Sequence, residues 1–484
     1  MNEEVVRLAA KSFPTRAAMP WLVGASVYGL LLALSDRLLN DPDTYWHIAA
    51  GRWIVAHGAV PRTDPFSFTM HGAPWVDFEW LSELIYAGVF AASGWTGIVI
   101  LTAAAAALAF GLLTRFLLRE LAPATTLILV LAALILAAPH MLARPHLLAL
   151  PVMVAWAGAL VGASDRRSAP PYAALPLLVL WANLHGSVIV GIGLIGPVVI
   201  EALLQADRRS DWVPIVLRWL PFAALALLAA CLTPYGPYSL LIPLKTLGLG
   251  DALNTITEWR PQDFGRFGAF EALLLLGIFA LSRGIKLPPM RTLIVLGLLH
   301  GALAHARNAD LLAMLAPLYL ARPLSLRFGG RTNDHGAGLQ MPARAVAAAA
   351  IAAAVAATLL SGLRPVRPDA RNSPEAAIAA ADLAKSGPVL NDYSFGGYLI
   401  YKGIAPFIDG RGEIYGAKFI AQYNRAIALA DLPGFLVLLD RYHIRTTLLA
   451  PDTPAVALLD RLPEWKRIYA DEIAVVHERR EGAR

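Results

Sequence analysis

Apolar residues along this chain come in long blocks separated by short charged stretches, not in the stripes of a soluble helix or the alternation of a half-buried strand. A helix that crosses a bilayer needs about 20 mainly apolar residues. Blocks near that length fall at 20–36, 96–114, 124–140, 147–163, 171–186, 187–206, 213–233, 267–282, 290–306, 309–322 and 342–363, which predicts about eleven transmembrane helices. Those at 171–186 and 309–322 are short for a span. Residues 80–93 are also apolar, but Glu79 and Glu83 bracket their start and predict an interfacial helix. Two regions break the pattern. Residues 37–95 form a long loop after the first span. Residues 364–484 alternate helical and strand periods, beyond the proline-punctuated stretch Leu363-Arg364-Pro365-Val366-Arg367-Pro368. In this tail, helices are predicted over 374–385 (Ser373 as N-cap, Pro374 at the first helical position), 416–430 and 433–441, with strands at 388–390, 405–408, 446–450 and 473–477. The chain therefore reads as an α-helical polytopic membrane domain, 1–363, followed by a small α/β domain, 364–484.

Composition agrees. Of 484 residues, 57% are apolar and 16% charged, against roughly 25% charged in an ordinary soluble protein. Too little polar surface is present to cover a globule. Disorder, collagen and a disulfide scaffold are excluded too, and the single cysteine, Cys231, has no intrachain partner. The net charge of +6 does not indicate nucleic acid, because topology distributes it. With the N-terminus cytoplasmic, the inner segments carry seventeen of the 25 lysines and arginines in residues 1–363, from Arg7 and Lys11 through Arg166 and Arg167 to Arg331 and Arg344. The longer outer segments carry Arg37, Arg52, Arg62, Arg144, Lys245, Arg260, Arg266 and Arg307. The positive-inside rule supports that orientation, and an odd number of spans makes the 37–95 loop and the C-terminal domain extracytoplasmic. Residues 1–36 lack a small-residue cleavage site and read as an uncleaved first span. The alanine- and arginine-rich composition points to a bacterial inner membrane.

The first outer loop is densest in chemistry. It opens Asn40-Asp41-Pro42-Asp43-Thr44-Tyr45-Trp46-His47 and closes Trp75-Val76-Asp77-Phe78-Glu79-Trp80. Two carboxylates two residues apart can hold a hard divalent cation such as Mg2+ or Mn2+. Alternatively, one can act as a general base. The bland reading is an Asx turn in which Asp43 caps a helix over 44–56. Other polar groups interrupt apolar blocks on the same predicted side: His140, Arg144 and His146 after the third span, Asn183 and His185 where the fifth and sixth meet, and His305, Arg307 and Asn308 between the ninth and tenth. Ionisable groups at membrane depth are costly and usually face a cavity. The prediction is an outward-facing polar pocket. In it Asp41 and Asp43 are catalytic or metal-binding, and His47, Glu79, Arg144, His146, His185 and Arg307 bind substrate. Arginine suits a phosphate because its planar fork donates two parallel hydrogen bonds. Trp259 beside Arg260 reads first as an aromatic belt anchor. The histidines lack HExxH-type spacing. No internal symmetry favours a transporter or flippase, which stands as the alternative beside a non-catalytic envelope scaffold.

Asp41-Pro42-Asp43-Thr44-Tyr45-Trp46-His47, His57-Gly58 and Asp64-Pro65-Phe66-Ser67-Phe68 resemble the first outer loop of GT-C glycosyltransferases, including the catalytic subunit of oligosaccharyltransferases. Over the whole chain the likeness to uncharacterised bacterial GT-C-like membrane proteins is greater. The resemblance implies a polytopic enzyme that takes a sugar from a polyprenyl-phosphate or -diphosphate carrier in the membrane and passes it to an envelope glycan, lipid or protein. It implies that Asp41 and Asp43 form the acidic motif, as base or metal ligand. In the tail, Leu390–Tyr398 and Phe407–Tyr415 resemble the region of the oligosaccharyltransferase Trp-Trp-Asp-Tyr-Gly motif, but the paired tryptophans are absent, so asparagine-sequon recognition is not implied. Asp409-Gly410-Arg411-Gly412 also reads as a glycine turn with a structural Asp–Arg pair.

Overall fold

The computed structural model describes residues 16–248, 259–329, 343–362 and 366–480. Arg7, Lys11, Glu258, Arg331 and residues 363–365 of the proline-punctuated stretch lie outside the described residues.

Each predicted apolar block is helical. In chain order the helices are α1 (Met19–Ala33), α2 (Asp43–His57), α3 (Trp80–Leu117), α4 (Pro123–Ala137), α5 (Pro145–Asp165), α6 (Leu175–Leu184), α7 (Val188–Gly193), α8 (Ile195–Leu204), α9 (Trp212–Ala230), α10 (Tyr238–Leu247), α11 (Ala269–Ser282), α12 (Pro289–Ala304), α13 (Ala309–Phe328) and α14 (Ala343–Ser361). Among the described residues, six helices are long and apolar enough to cross a membrane, and shorter apolar helices fill the other predicted blocks. The apolar stretch 80–93 runs into the following span, but Gly94 breaks the helix with φ 58° and ψ −147°, values open to glycine and costly for other residues. The predicted interfacial segment is thus set at an angle to the helix after it.

Small residues set the spacing of the bundle. Ala103, Ala106 and Ala109 of α3 are fully buried. A Cβ on Gly24 would come 3.2 Å from the Ala107 carbonyl, and one on Gly111 3.2 Å from that of Pro20. Close approach of α1 and α3 therefore depends on small side chains, the usual device where lipid offers no hydrophobic drive. The most enclosed helix is α5. Its Trp156 is fully buried and donates to the Gly191 carbonyl at 2.9 Å. Proline at the first position starts α4, α5 and α12, where no N–H partner is needed. At the far end of α5, Asp165 pairs with Arg291 at 2.6 Å and with Arg322 at 3.2 Å, and Arg291 also pairs with Glu201 at 2.9 Å. At 1.5 Å per residue this network lies ~30 Å from Arg144, at the other end of the helix.

The tail contains α15 (Glu375–Ala380), β1 (Val389–Asn391), α16 (Gly396–Tyr401), α17 (Gly412–Ile427), α18 (Leu432–Arg441), β2 (Thr446–Leu449), α19 (Pro454–Leu459), β3 (Trp465–Ala470) and β4 (Val475–Arg479). The sheet order is β1-β2-β4-β3, with β1 parallel to β2 and the other pairs antiparallel. The strand expected at 405–408 is only a single bridge, Val389 to Pro406, because proline has no N–H for a ladder. The first tail helix starts at Glu375, with Pro374 as N-cap, and stops at Ala380, short of the predicted 385; Asp382 is left-handed, with φ 44°. The tail packs on the end of the bundle that carries the 37–79 loop. Thr69 donates to the Phe407 carbonyl at 2.7 Å, and the Phe68 N–H donates to the Pro406 carbonyl at 3.2 Å.

Candidate active site

The site starts at the turn into α2. Asp41 accepts the Asp43 N–H at 2.8 Å. The Asx turn is therefore present, but Asp41 supplies it. Asp43 does not cap a helix over 44–56; it is the first residue of the helix, and Pro42 stands at the N-cap. The remaining carboxylate oxygens turn to Arg144, which sits just ahead of α5. Its Nε lies 2.6 Å from Asp41 Oδ2 and its Nη2 2.6 Å from Asp43 Oδ2. Thr44 donates to the Ala143 carbonyl at 2.9 Å, and the Ala143 N–H donates to Leu38 at 2.7 Å. These bonds fix the turn against the segment that carries Arg144.

A second cluster lies beside the first. His47 Nδ1 is 3.1 Å from Glu83 Oε1, and its Nε2 is 3.9 Å from Glu79 Oε2. His185, at the C-terminal end of α6, places Nε2 3.2 Å from Glu79 Oε1. His146 donates from Nε2 to the His140 carbonyl at 3.0 Å. Arg307, in the turn between α12 and α13, stacks over Trp259 at 4.4 Å. Trp259 thus faces the site, not only a membrane boundary. Asp41, Asp43, His47, Glu79, Arg144, His146, His185 and Arg307, all picked from the sequence, line one cavity of about 1020 Å³.

Sequence reasoning passed over the tail's share of this cavity. Gly410, Arg411, Gly412 and Glu413 line it as well. A Cβ on Gly410 would collide with the Asp43 carboxylate, and one on Gly397 with the Pro42 carbonyl. Glycine at these two positions lets the tail backbone rest directly on the acidic turn. Arg411 is buried. It holds Asp409 through Nε at 2.8 Å and Nη2 at 2.6 Å, reaches Asp64 at 2.7 Å, and lies over the Trp75 ring at 4.8 Å. The expected Asp409–Arg411 pair is present, and Asp64 joins it to the first loop.

Burial shapes the electrostatics. It pushes the Asp77 carboxyl up to about 6 and Glu413 up to about 7. Glu79 is raised well above the usual carboxylate range by burial and by the charges of Asp77 and Glu413. His47 is pushed well below its ordinary value by burial and by Arg144, so it is neutral near pH 7. Burial alone would raise Asp409, but Arg411 holds it below the usual range. Glu413 gives a pH prediction. A carboxyl whose proton affinity is higher folded than unfolded binds more protons in the native state, so stability falls as pH rises from about 4.5 to about 7. Glu413→Gln is therefore expected to raise the thermal midpoint at pH 8 and leave it unchanged at pH 4, which a thermal scan at the two pH values checks.

The residues do not fit the divalent cation anticipated for Asp41 and Asp43. Among the described residues, no group of three or more His, Cys, Asp or Glu side chains is placed to hold a metal ion. A cation between the two carboxylates would have to displace the guanidinium that already bridges them.

No protein-family model matches the chain, and no curated protein is similar to it in sequence. Solved structures are similar. The archaeal oligosaccharyltransferase AglB from Archaeoglobus fulgidus, in complex with an inhibitory peptide and a dolichol-phosphate, is 13% identical with a TM-score of 0.58, covering 89% of this chain and 69% of that one. The fold is GT-C. The Archaeoglobus fulgidus oligosaccharyltransferase in complex with zinc and sulfate shares this fold at TM-score 0.51 and 14% identity, covering 89% of this chain and 68% of that one. ArnT from Cupriavidus metallidurans bound to undecaprenyl phosphate aligns at TM-score 0.48 and 14% identity, over 99% and 98% of the two chains.

Proposed function

We propose that this chain is a GT-C-type glycosyltransferase of a bacterial inner membrane, with a cytoplasmic N-terminus and an extracytoplasmic tail. It moves a sugar from a polyprenyl-phosphate-type carrier to an extracytoplasmic acceptor. The observation that carries this reading is the cavity. Within a GT-C fold, ionisable residues from the first loop, α5, the end of α6 and the α12–α13 turn converge with the tail on one space. Such groups in an apolar bundle are costly unless they serve a ligand. The cavity wall also includes Ile135, Leu136 and Phe270, apolar side chains suited to the first isoprene units of a carrier. Dolichol-phosphate, present in the AglB structure, is a carrier of this chemistry.

In the proposed reaction the acceptor oxygen bonds to the anomeric carbon as the bond from that carbon to the carrier phosphate breaks. The phosphate departs with the electron pair, and a site carboxylate takes the acceptor proton. Arg307 neutralises the departing phosphate, so little acid catalysis is needed. A single displacement inverts the anomeric centre. Asp41 and Asp43, held by Arg144, stand at the reacting groups. The test is transfer of labelled sugar from polyprenyl-phosphate donors in native membranes, for wild type and Asp43→Asn, each with and without EDTA. Wild-type transfer is expected, with a fall of about 100-fold or more in the variant and no effect of EDTA. No transfer by a folded, inserted wild type from any donor would sink the reading.

A further inference from the structure

Several carboxylates line the cavity, among them Asp41, Asp43, Asp77, Glu79 and Glu413, and they are not equivalent. Asp41 and Asp43 each hold Arg144 at 2.6 Å. A proton delivered to either one would break an ion pair. Glu79 lies on the same cavity without that clamp. Its charged and titratable surroundings are His47 from α2, Glu83 from α3, His185 from the end of α6, Asp77 from its own loop, Glu413 from the tail, and the more distant Arg144 and Arg307.

The partners of His185 define the role of Glu79. The Ser187 N–H donates to His185 Nδ1 at 3.1 Å, and Ser187 Oγ lies 2.7 Å from the same nitrogen while accepting from Trp181 Nε1 at 2.9 Å. An Nδ1 that accepts a backbone N–H carries no proton, so neutral His185 keeps its proton on Nε2. That nitrogen lies 3.2 Å from Glu79 Oε1. Glu79 thus sits beside the protonated nitrogen of a histidine whose tautomer a third group fixes, the arrangement of an oriented base.

We infer that Glu79 is the base that takes the acceptor's proton, with His185 as its positioning residue. This rests on the transfer reaction proposed above. The acceptor O–H bond breaks as its oxygen bonds to the anomeric carbon. The proton passes to Oε2 of Glu79, the oxygen 3.9 Å from His47 Nε2, and the carrier phosphate leaves with the electron pair. The burial that raises Glu79 above the ordinary carboxylate range suits a base working near neutral pH.

Azide tests this assignment, because as an anion it can attack the anomeric carbon with no proton to lose. Glu79→Gln is expected to slow transfer to the hydroxyl acceptor by about 100-fold or more in kcat, with the donor KM within about threefold. Added azide is expected to restore turnover as the glycosyl azide. The acid limb of the wild-type pH profile should lie above the ordinary carboxylate range. That limb is read on the unaltered protein, so it carries the test even if Glu79→Gln does not assemble. The assignment is overturned if Glu79→Gln transfers to the hydroxyl acceptor at the wild-type rate, if azide rescues Asp43→Asn and not Glu79→Gln, or if the wild-type acid limb sits in the ordinary range. An active wild type with any of these results removes Glu79 alone. An inactive wild type removes the transfer reading itself.

Discussion

Arg144→Ala is expected to destabilise the protein by about 3–5 kcal/mol and to abolish activity of the site. One guanidinium serves two carboxylates, each at 2.6 Å, and Asp41 is only 3% exposed. Removing it leaves two negative charges facing each other across the same turn. Neither can escape, because Asp41 also anchors the start of α2 through the Asp43 N–H. Arg144→Lys restores the charge but not the fork. A single ammonium reaches one carboxylate well and the other poorly, so an intermediate loss is expected. Pairing the alanine variant with Asp43→Asn should recover part of the stability, since one unpaired charge is then gone, and the shortfall from additivity measures the coupling. Thermal unfolding in nanodiscs reads all five proteins, the wild type and the Asp43→Asn single variant included. A wild-type midpoint for Arg144→Ala would show that the bridge contributes nothing to stability.

That bridge marks where the sequence stops being readable. Arg144, His146, His185 and Arg307 could be picked from the chain because an ionisable side chain beside an apolar block needs a reason. Their convergence could not be measured: Arg144 and Asp43 are 101 residues apart, and nothing local pairs them. The expectation that Asp43 caps α2 erred by one step of the turn. Pro42 takes the N-cap position, so the cap comes from Asp41, the residue before the proline. In the tail, β3 was passed over because Trp465-Lys466-Arg467-Ile468-Tyr469-Ala470 shows no clean alternation of apolar residues. It is the edge strand of the sheet, where charged side chains face solvent and guard the unpaired backbone. The spans were legible since lipid imposes length and apolarity together. The shorter helices were legible only as apolar blocks, and the bend at Gly94 only as a glycine among apolar residues.

Arg411→Ala should loosen the tail's hold on the first loop and the acidic turn. Arg411 is 1% exposed, and its partners Asp64 and Asp409 are 1% and 0% exposed. Asp409 belongs to the tail and Asp64 to the first loop, so the guanidinium joins the two units as well as ordering the turn that carries Gly410. Truncation leaves both carboxylates buried without a cation, at a cost of about 3–5 kcal/mol, and removes the cation–π contact over Trp75. Hydrogen bonds from Thr69 and Phe68 to the tail backbone survive, as does the packing of Tyr398, Ile400 and Tyr401 of α16 against Tyr45 and Trp46 of α2 and Trp95 of α3. The tail should therefore loosen where Gly410 meets the acidic turn, with α16 still seated on α2 and the sheet intact, since the cluster around Phe407, Phe435 and Trp465 does not include Arg411. Limited proteolysis distinguishes this from unfolding. The expected result is faster cleavage between the helical bundle and β1, a protease-resistant tail fragment, and loss of any activity that needs Gly410 against Asp43. Replacing Asp64 and Asp409 with asparagine in the Arg411→Ala background should restore resistance in part, because amides can be buried without a counter-charge. If the single variant is cleaved no faster than wild type, the tail is held by contacts other than this arginine.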